Sequence, residues 1–225
     1  MPANDHPTPT QTASDLRQRL RTAAIAIPPV LLMVWAGGVP FALLIAGLGA
    51  LAWAEVWHIV RHRLEAVALG IGYISLPLIL TLLLRAREDG LFWVMAVILL
   101  TWFVDAFAYL GGKRFGRTPL HARISPHKTV EGAITGWVVS ALLMIGLLAA
   151  YGRLEAGWLV LPIIGPPVSI AGDLFESALK RRYGAKDSHL PQINPLPGHG
   201  GILDRIDSLL FICPFCMLCI TLMGW

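Results

Sequence analysis

Charge is what this sequence has least of. Only 14% of its 225 residues are Asp, Glu, Lys or Arg, where a soluble domain carries about 25%. A chain this apolar could not cover its own surface in water, which excludes a soluble globular protein. With 56% hydrophobic residues it is no disordered chain and no coiled coil. Cysteine is scarce too: Cys213, Cys216 and Cys219 all lie in one apolar run. They imply no disulfide framework. With no His or carboxylate beside them, they read as packed thiols rather than as zinc ligands. The apolar runs are continuous and do not alternate with polar positions, which argues against a lipid-facing β-barrel. There is no internal repeat and no low-complexity tract.

What remains is a set of continuous apolar runs in a chain of mean hydropathy +0.65. About 20 apolar residues cross a bilayer. The runs predict an all-α, polytopic integral membrane protein of about seven transmembrane helices, at 22–37, 39–57, 66–84, 91–110, 132–151, 156–176 and 207–224. The first is short and carries Pro28-Pro29, which suits a tilted or re-entrant segment. Pro162, Pro166 and Pro167 are expected to break the sixth into two half-helices. Residues 1–21 form a polar tail, 22–110 the N-terminal transmembrane helices, and 111–225 a membrane region with two long loops, 111–131 and 177–206. A cleaved signal peptide fits poorly, since the apolar run starts late and another follows at once.

Basic residues orient the chain. With the N-terminus in the cytoplasm, 15 of the 18 Lys and Arg residues fall on the inner side, and only Arg85, Arg87 and Arg153 fall outside. That satisfies the positive-inside rule and puts both long loops in the cytoplasm. The net charge of +4 therefore follows mostly from topology. A basic inner face attracts anionic membrane lipids, and nucleic-acid binding has no support.

Acidic residues inside apolar runs are the informative ones. Asp105 lies about five residues from the cytoplasmic end of its span, roughly 8 Å deep. An ionisable group there is costly and marks a functional site by default, a structural ion pair being the alternative. The loop Gly111-Gly112-Lys113-Arg114 offers backbone amides and cations to phosphate, or is an ordinary basic turn. In Ser125-Pro126-His127-Lys128-Thr129-Val130-Glu131, Ser125 or Thr129 can cap the next helix, with Glu131 in its first turn. Capping does not account for Lys128, since a cation at a helix start is disfavoured unless an anion shares it. Asp173, Ser177, Lys180 and Arg181 share one helix face. Finally, Pro197-Gly198-His199-Gly200-Gly201 leads into Asp204-Arg205-Ile206-Asp207. A glycine-rich entry to a helix suits phosphate, and the paired carboxylates of Asp204 and Asp207 suit Mg²⁺. Compensation of the helix dipole is the plainer reading of the same acids. His127 and His199 serve equally as proton carriers or as loop hydrogen-bonders. His58 and His62 lack a third ligand and read as interfacial.

Together these residues resemble the phosphatidate cytidylyltransferase (CDP-diacylglycerol synthase) family of integral membrane enzymes. The resemblance rests on Ser177, Lys180-Arg181, Lys186-Asp187, His199-Gly200-Gly201 and Asp204-Arg205-Ile206-Asp207. Upstream it takes in Asp105-Ala106-Phe107-Ala108-Tyr109, Ser125 to Gly132, and Gly172 to Ser177. It is specific over about residues 100–210, and Trp53-Ala54-Glu55-Val56-Trp57 is similar to an acidic-aromatic stretch of the family. The link Ser188 to Leu196 is longer than in that pattern. The chain is also shorter than usual members.

The resemblance implies CTP and phosphatidate as substrates, CDP-diacylglycerol and pyrophosphate as products, and Mg²⁺, with a second metal ion of open identity. It implies metal-holding roles for Asp173, Asp187, Asp204 and Asp207. Lys128, Lys180, Arg181, Lys186 and Arg205 would neutralise phosphates, and Asp105, Ser125 and Glu131 would orient the nucleotide or hold a metal. A bacterial inner membrane is the implied location, and a homodimer is left open. Two other readings stand beside it: a CTP-dependent polyprenol or phytol kinase, and a membrane transporter.

Overall fold

A bilayer offers no water to backbone N–H and C=O groups, so continuous helix is what long apolar runs demand. The computed structural model describes residues 9–185, 187–188 and 200–223. Its helices are α1 (Pro9–Ala36), α2 (Gly38–Ile59), α3 (Arg63–Leu69), α4 (Leu76–Arg85), α5 (Gly90–Phe115), α6 (Val130–Ala150), α7 (Val160–Arg182) and α8 (Leu203–Leu222). A π-helical turn, Gly70–Ser75, joins α3 to α4, and a 3₁₀ turn, Ala156–Leu159, leads into α7.

Among the described residues, six helical stretches are long and apolar enough to cross a membrane: Gly38–Ile59, Arg63–Arg85, Gly90–Phe115, Val130–Ala150, Gly157–Arg182 and Leu203–Leu222. The expected first span belongs to α1, whose apolar part, Ala24–Ala36, is shorter than a span. Two further expectations need correction. The loop expected at 111–131 is not all loop, because α5 runs on through Phe115 and Pro119–His121 (β1) and Ser125–Thr129 (β2) pair as an antiparallel hairpin. And α7 is not broken into halves: it runs through Pro166 and Pro167 as one helix. Pro167 has no N–H for the carbonyl of Ile163. The Trp137 indole of α6 donates to that carbonyl instead, at 2.8 Å, so the orphaned acceptor is satisfied across the helix interface.

Small residues set the closest helix pairs, as they do where apolar burial against lipid gives little drive. A Cβ on Gly132 would stand 2.6 Å from the Ala108 carbonyl oxygen, and one on Gly136 would stand 2.7 Å from that of Val104. Thus α5 and α6 touch backbone to backbone. Between α7 and α8, a Cβ on Gly172 would lie 2.9 Å from the Asp207 carbonyl oxygen. Ser208 reinforces that contact by donating to the Ser169 carbonyl at 3.1 Å. Leu100, Leu161 and Ile212 fill the middle of the bundle, and the three cysteines are free and buried along α8.

The helices leave two distinct ends. At one, Arg85 of α4 donates to the Val34 and Trp35 carbonyls at the end of α1, both at 2.8 Å, and Arg153 pairs with Asp89. At the other, Glu65 of α3 takes Arg182 at 2.6 Å, and the Tyr183 hydroxyl also donates to it. The C-termini of α2, α5 and α7 and the N-termini of α6 and α8 meet at this second end.

Candidate active site

The second end gathers ionisable side chains from four elements. Asp105 comes from α5, Lys128 from β2, Asp173, Glu176 and Lys180 from α7, and Asp204 and Asp207 from α8. Two ammonium groups organise the carboxylates. Lys128 forms an ion pair with Asp173. Lys180 lies between Glu176, at 2.6 Å, and Asp204. Asp105 and Asp204 stand within electrostatic reach of Asp207, as does Lys128. The Asp207 carboxylate accepts from the Ser208 amide at 2.6 Å. Protein atoms crowd the Lys128 ammonium, and this loss of hydration pushes its pKa below the usual lysine range. The carboxylates of Asp105, Asp207 and Glu176 act against that shift.

Local structure places each group. Thr129 caps α6, its hydroxyl accepting from the Gly132 amide at 3.1 Å, as the sequence suggested. The cap and the hairpin fix Lys128 one residue before the helix. Glu131 braces the preceding loop: its carboxylate accepts from the amides of Arg117 and Thr118, at 3.1 Å each, and from the Thr118 hydroxyl at 2.9 Å. Just before α8, Gly200 has a φ of 75°, the left-handed region open to glycine. The Asp204 carboxylate then turns back to accept from the Gly201 amide at 2.8 Å. At Gly201 there is no space for a side chain, since a Cβ would meet Ser188 Oγ at 2.2 Å and Glu55 Oε2 at 2.7 Å.

A cavity of about 490 Å³ opens beside the cluster. Asp105, Lys113, Ser125, His127, Lys128 and Asp173 supply its polar lining, and Val104, Ala108, Tyr109, Leu120 and Ile170 supply apolar wall. Charged groups on one side and apolar wall on the other suit a ligand that is part anion and part lipid.

Other sequence candidates fall elsewhere. Ser177 sits one turn beyond Asp173 and makes only a long contact to it, at 3.5 Å. Arg181 points away, donating to the Ala185 carbonyl at 3.1 Å. Asp187 is exposed and is not among the groups joined to Lys128 or Lys180, whereas Arg205, also exposed, stays within electrostatic reach of Asp105. Lys186, His199 and most of the link 188–196 lie outside the described residues. The structure adds two carboxylates that sequence reasoning did not select. Glu176 is 1% exposed and one of its oxygens, Oε1, has no hydrogen-bond partner. Glu55 of α2 is 2% exposed, and its carboxylate accepts from the amides of Ile202 and Leu203, both at 2.8 Å. Both are acids inside apolar helices, the signal that singled out Asp105.

The fold and the site together define a polytopic membrane protein with a carboxylate-rich centre at one end of its bundle. A model of the cytidylyltransferase family matches residues 60–223, and the chain belongs to that family. It is 30% identical to a phosphatidate cytidylyltransferase of Bacillus subtilis over 263 aligned positions, covering 89% of this chain and 96% of the relative. It is 41% identical over 140 residues to a phosphatidate cytidylyltransferase of Thermotoga maritima (57% of this chain, 48% of the relative). To one from Staphylococcus saprophyticus it is 38% identical over 147 residues, covering 64% of this chain and 52% of that protein.

Proposed function

We propose that this chain transfers the cytidylyl group of CTP to phosphatidate, forming CDP-diacylglycerol and releasing pyrophosphate. The observation that carries the reading is the convergence of Asp105, Lys128, Asp173, Glu176, Lys180, Asp204 and Asp207 beside a half-apolar cavity. It occurs in a chain whose relatives are named for this reaction.

A lipid phosphate oxygen attacks the α-phosphorus of CTP, and the bond to the bridging oxygen of the β-phosphate breaks. A phosphomonoester has a second pKa of about 6, so no strong base is needed to activate it. The difficulty is to bring two polyanions together and to stabilise the leaving group, which is work for positioning and electrostatics. Lys128 and Lys180 supply fixed positive charge for this. Arg205, Lys113 and Lys186 are further cations for the triphosphate and the lipid head group. Ser125, Ser177, Glu131, His199, Gly200 and Gly201 are assigned to the substrate-binding surroundings.

The donor set fits Mg²⁺. Five carboxylates face two ammonium groups, all the donors are oxygens, and one oxygen of Glu176 is buried without a partner. Among the described residues no three His, Cys, Asp or Glu side chains close a cation site by themselves. Mg²⁺ takes one or two carboxylates and fills its shell with water and substrate phosphates. Asp173, Asp204 and Asp207, with Asp187 from the neighbouring loop, are the residues assigned to hold one or two metal ions. Bound there, Mg²⁺ would neutralise the phosphates and draw charge from the departing pyrophosphate.

Two parallel reactions test this, one with CTP labelled at the α-phosphate and one with CTP labelled at the γ-phosphate. Label should pass from the α-phosphate to phosphatidate in a lipid product and require Mg²⁺. Label passing only from the γ-phosphate to a lipid hydroxyl would make the chain a CTP-dependent lipid kinase. Label passing to no lipid would leave the transporter reading.

The site end is assigned to the cytoplasm of a bacterial inner membrane, where CTP is available. Because the native cysteines are buried, single cysteines at Thr118 and Glu88 report the topology. In intact cells only position 88 should label from outside. External labelling of position 118 would invert the topology.

A further inference from the structure

A carboxylate held at 2% exposure in an apolar helix is costly unless strong partners surround it. Glu55 has such partners, and they lie 147 and 148 residues away in sequence. Its two oxygens take the Ile202 and Leu203 amides, the first free N–H groups of α8. Both contacts are charge-assisted, and the carboxylate sits at the positive end of the helix dipole. Glu55 also closes the space beside Gly201, the residue whose amide holds the Asp204 carboxylate. One turn of backbone, 201–204, is thus held by Glu55 on one side and by Asp204 on the other. Lys180 then ties Asp204 to α7. No other residue of α2 donates to or accepts from this turn among the described residues.

We propose that Glu55, which lies outside the family-matched segment 60–223, is a positioning residue for the cytidylyl transfer. It touches neither substrate. It fixes the turn entering α8 and thereby sets where Asp204 and Asp207 stand. This inference rests on the reading of the site given above. Truncation would leave two amides of the turn without their acceptor inside a tightly packed region. A glutamine keeps the shape and one acceptor oxygen but sets an NH₂ group against the second amide.

The test uses the full-length protein in detergent, with Glu55→Gln, Glu55→Ala and, as a control, Asp204→Asn. Turnover per folded molecule should fall at least tenfold in Glu55→Ala, with a smaller loss in Glu55→Gln. Hydrogen–deuterium exchange of the peptide spanning 200–208 should rise in the same order, without a rise in α5 or α6. A cap serving stability alone would lower the melting temperature and leave turnover per folded molecule unchanged. If Glu55→Ala does not fold, Glu55→Gln decides. Wild-type turnover, or wild-type exchange at 200–208, in the variant that decides overturns the proposal. Full activity of Asp204→Asn would instead overturn the reading of the site, so the two failures are distinguishable.

Discussion

The two ends of the bundle are closed by different chemistry. At the end holding Arg85, Asp89 and Arg153, aromatic rings do the packing. Phe92 stacks on Tyr151 at 4.1 Å between centroids, and Trp93 stacks on the buried Trp158 at 4.3 Å. The polar groups there serve the backbone or each other: Arg85 caps the end of α1, and Arg153 pairs with Asp89. At the opposite end, among the described residues, Asp105, Asp173, Glu176, Asp204 and Asp207 gather around Lys128 and Lys180, with the exposed Arg205 in electrostatic reach of Asp105. A surplus of carboxylate near a membrane surface is destabilising by itself. Structural need explains the polar groups of the first end. It does not explain the surplus at the second, and that surplus is what supports the proposal that this end takes cations and phosphates.

The sharpest way to break this contrast is to neutralise one carboxylate at each end. Asp204→Asn should reduce turnover by on the order of 10²-fold or more, since one well-placed electrostatic contact in a reaction centre is worth that much. Asp89→Asn should leave turnover at the wild-type level. Both are read as CTP-dependent product formation per folded molecule. Near-normal turnover in Asp204→Asn would reduce it to a residue opposing the helix dipole, worth about 0.3–1 kcal/mol of stability.

A pair of glycines sharpens it next. In Gly172→Ala the new methyl would stand 2.9 Å from the Asp207 carbonyl oxygen, a backbone atom that cannot swing aside. It should push α7 off α8, separate Asp173 from Asp207 and reduce turnover roughly tenfold. Gly157→Ala, at the far end, meets the flexible Met223 side chain, its nearest atom the sulfur at 3.5 Å, which is ordinary contact. It should leave activity and melting temperature near wild type. Equal effects of the two variants would mean that spacing at Gly172 does not control the site.

Thr129→Ala acts on the site end through stability. Loss of its bond from the Gly132 amide should cost about 1 kcal/mol, the usual value of an N-cap. The fall should appear in the melting temperature, with a moderate loss of turnover because the cap also sets Lys128. An unchanged melting temperature would show that the hairpin alone holds the start of α6.

How much of this was legible in the sequence depends on how far apart the partners lie. Asp105 and Asp173 announce themselves because a charge in an apolar run has no local explanation, Asp204 because it pairs with Asp207 behind a glycine-rich helix entry, and Thr129 because a cap is a local pattern. Membrane class and helical architecture follow from run length alone. Glu55 carries the same signal as Asp105, but its meaning lies in two amides almost 150 residues away. Glu176 is explained by Lys180 and Asp204 together, a contact that requires α7 and α8 to touch. Proline chemistry predicted a break in α7, and the physics was sound. The missing donor was replaced from α6 by Trp137, a compensation visible only in the packed structure. The hairpin escaped notice because Pro119–His121 is too short to show an alternating pattern.

The smallest effect belongs to the far end, at the ion pair of Arg153 and Asp89. The two side chains are 21% and 42% exposed, so water competes for both and salt screens their attraction. Exposed pairs contribute about 0–1 kcal/mol. Arg153→Ala should therefore lower stability by no more than about 1 kcal/mol, an effect that shrinks further in high salt, with turnover unchanged. The measurement is melting temperature in detergent at low and high ionic strength, beside the activity assay. If Arg153→Ala instead abolished turnover while the protein stayed folded, the far end would be coupled to the reaction. The division into a packed end and a reactive end would then fail, because the ion pair would be doing more than joining the α4–α5 turn to the loop after α6.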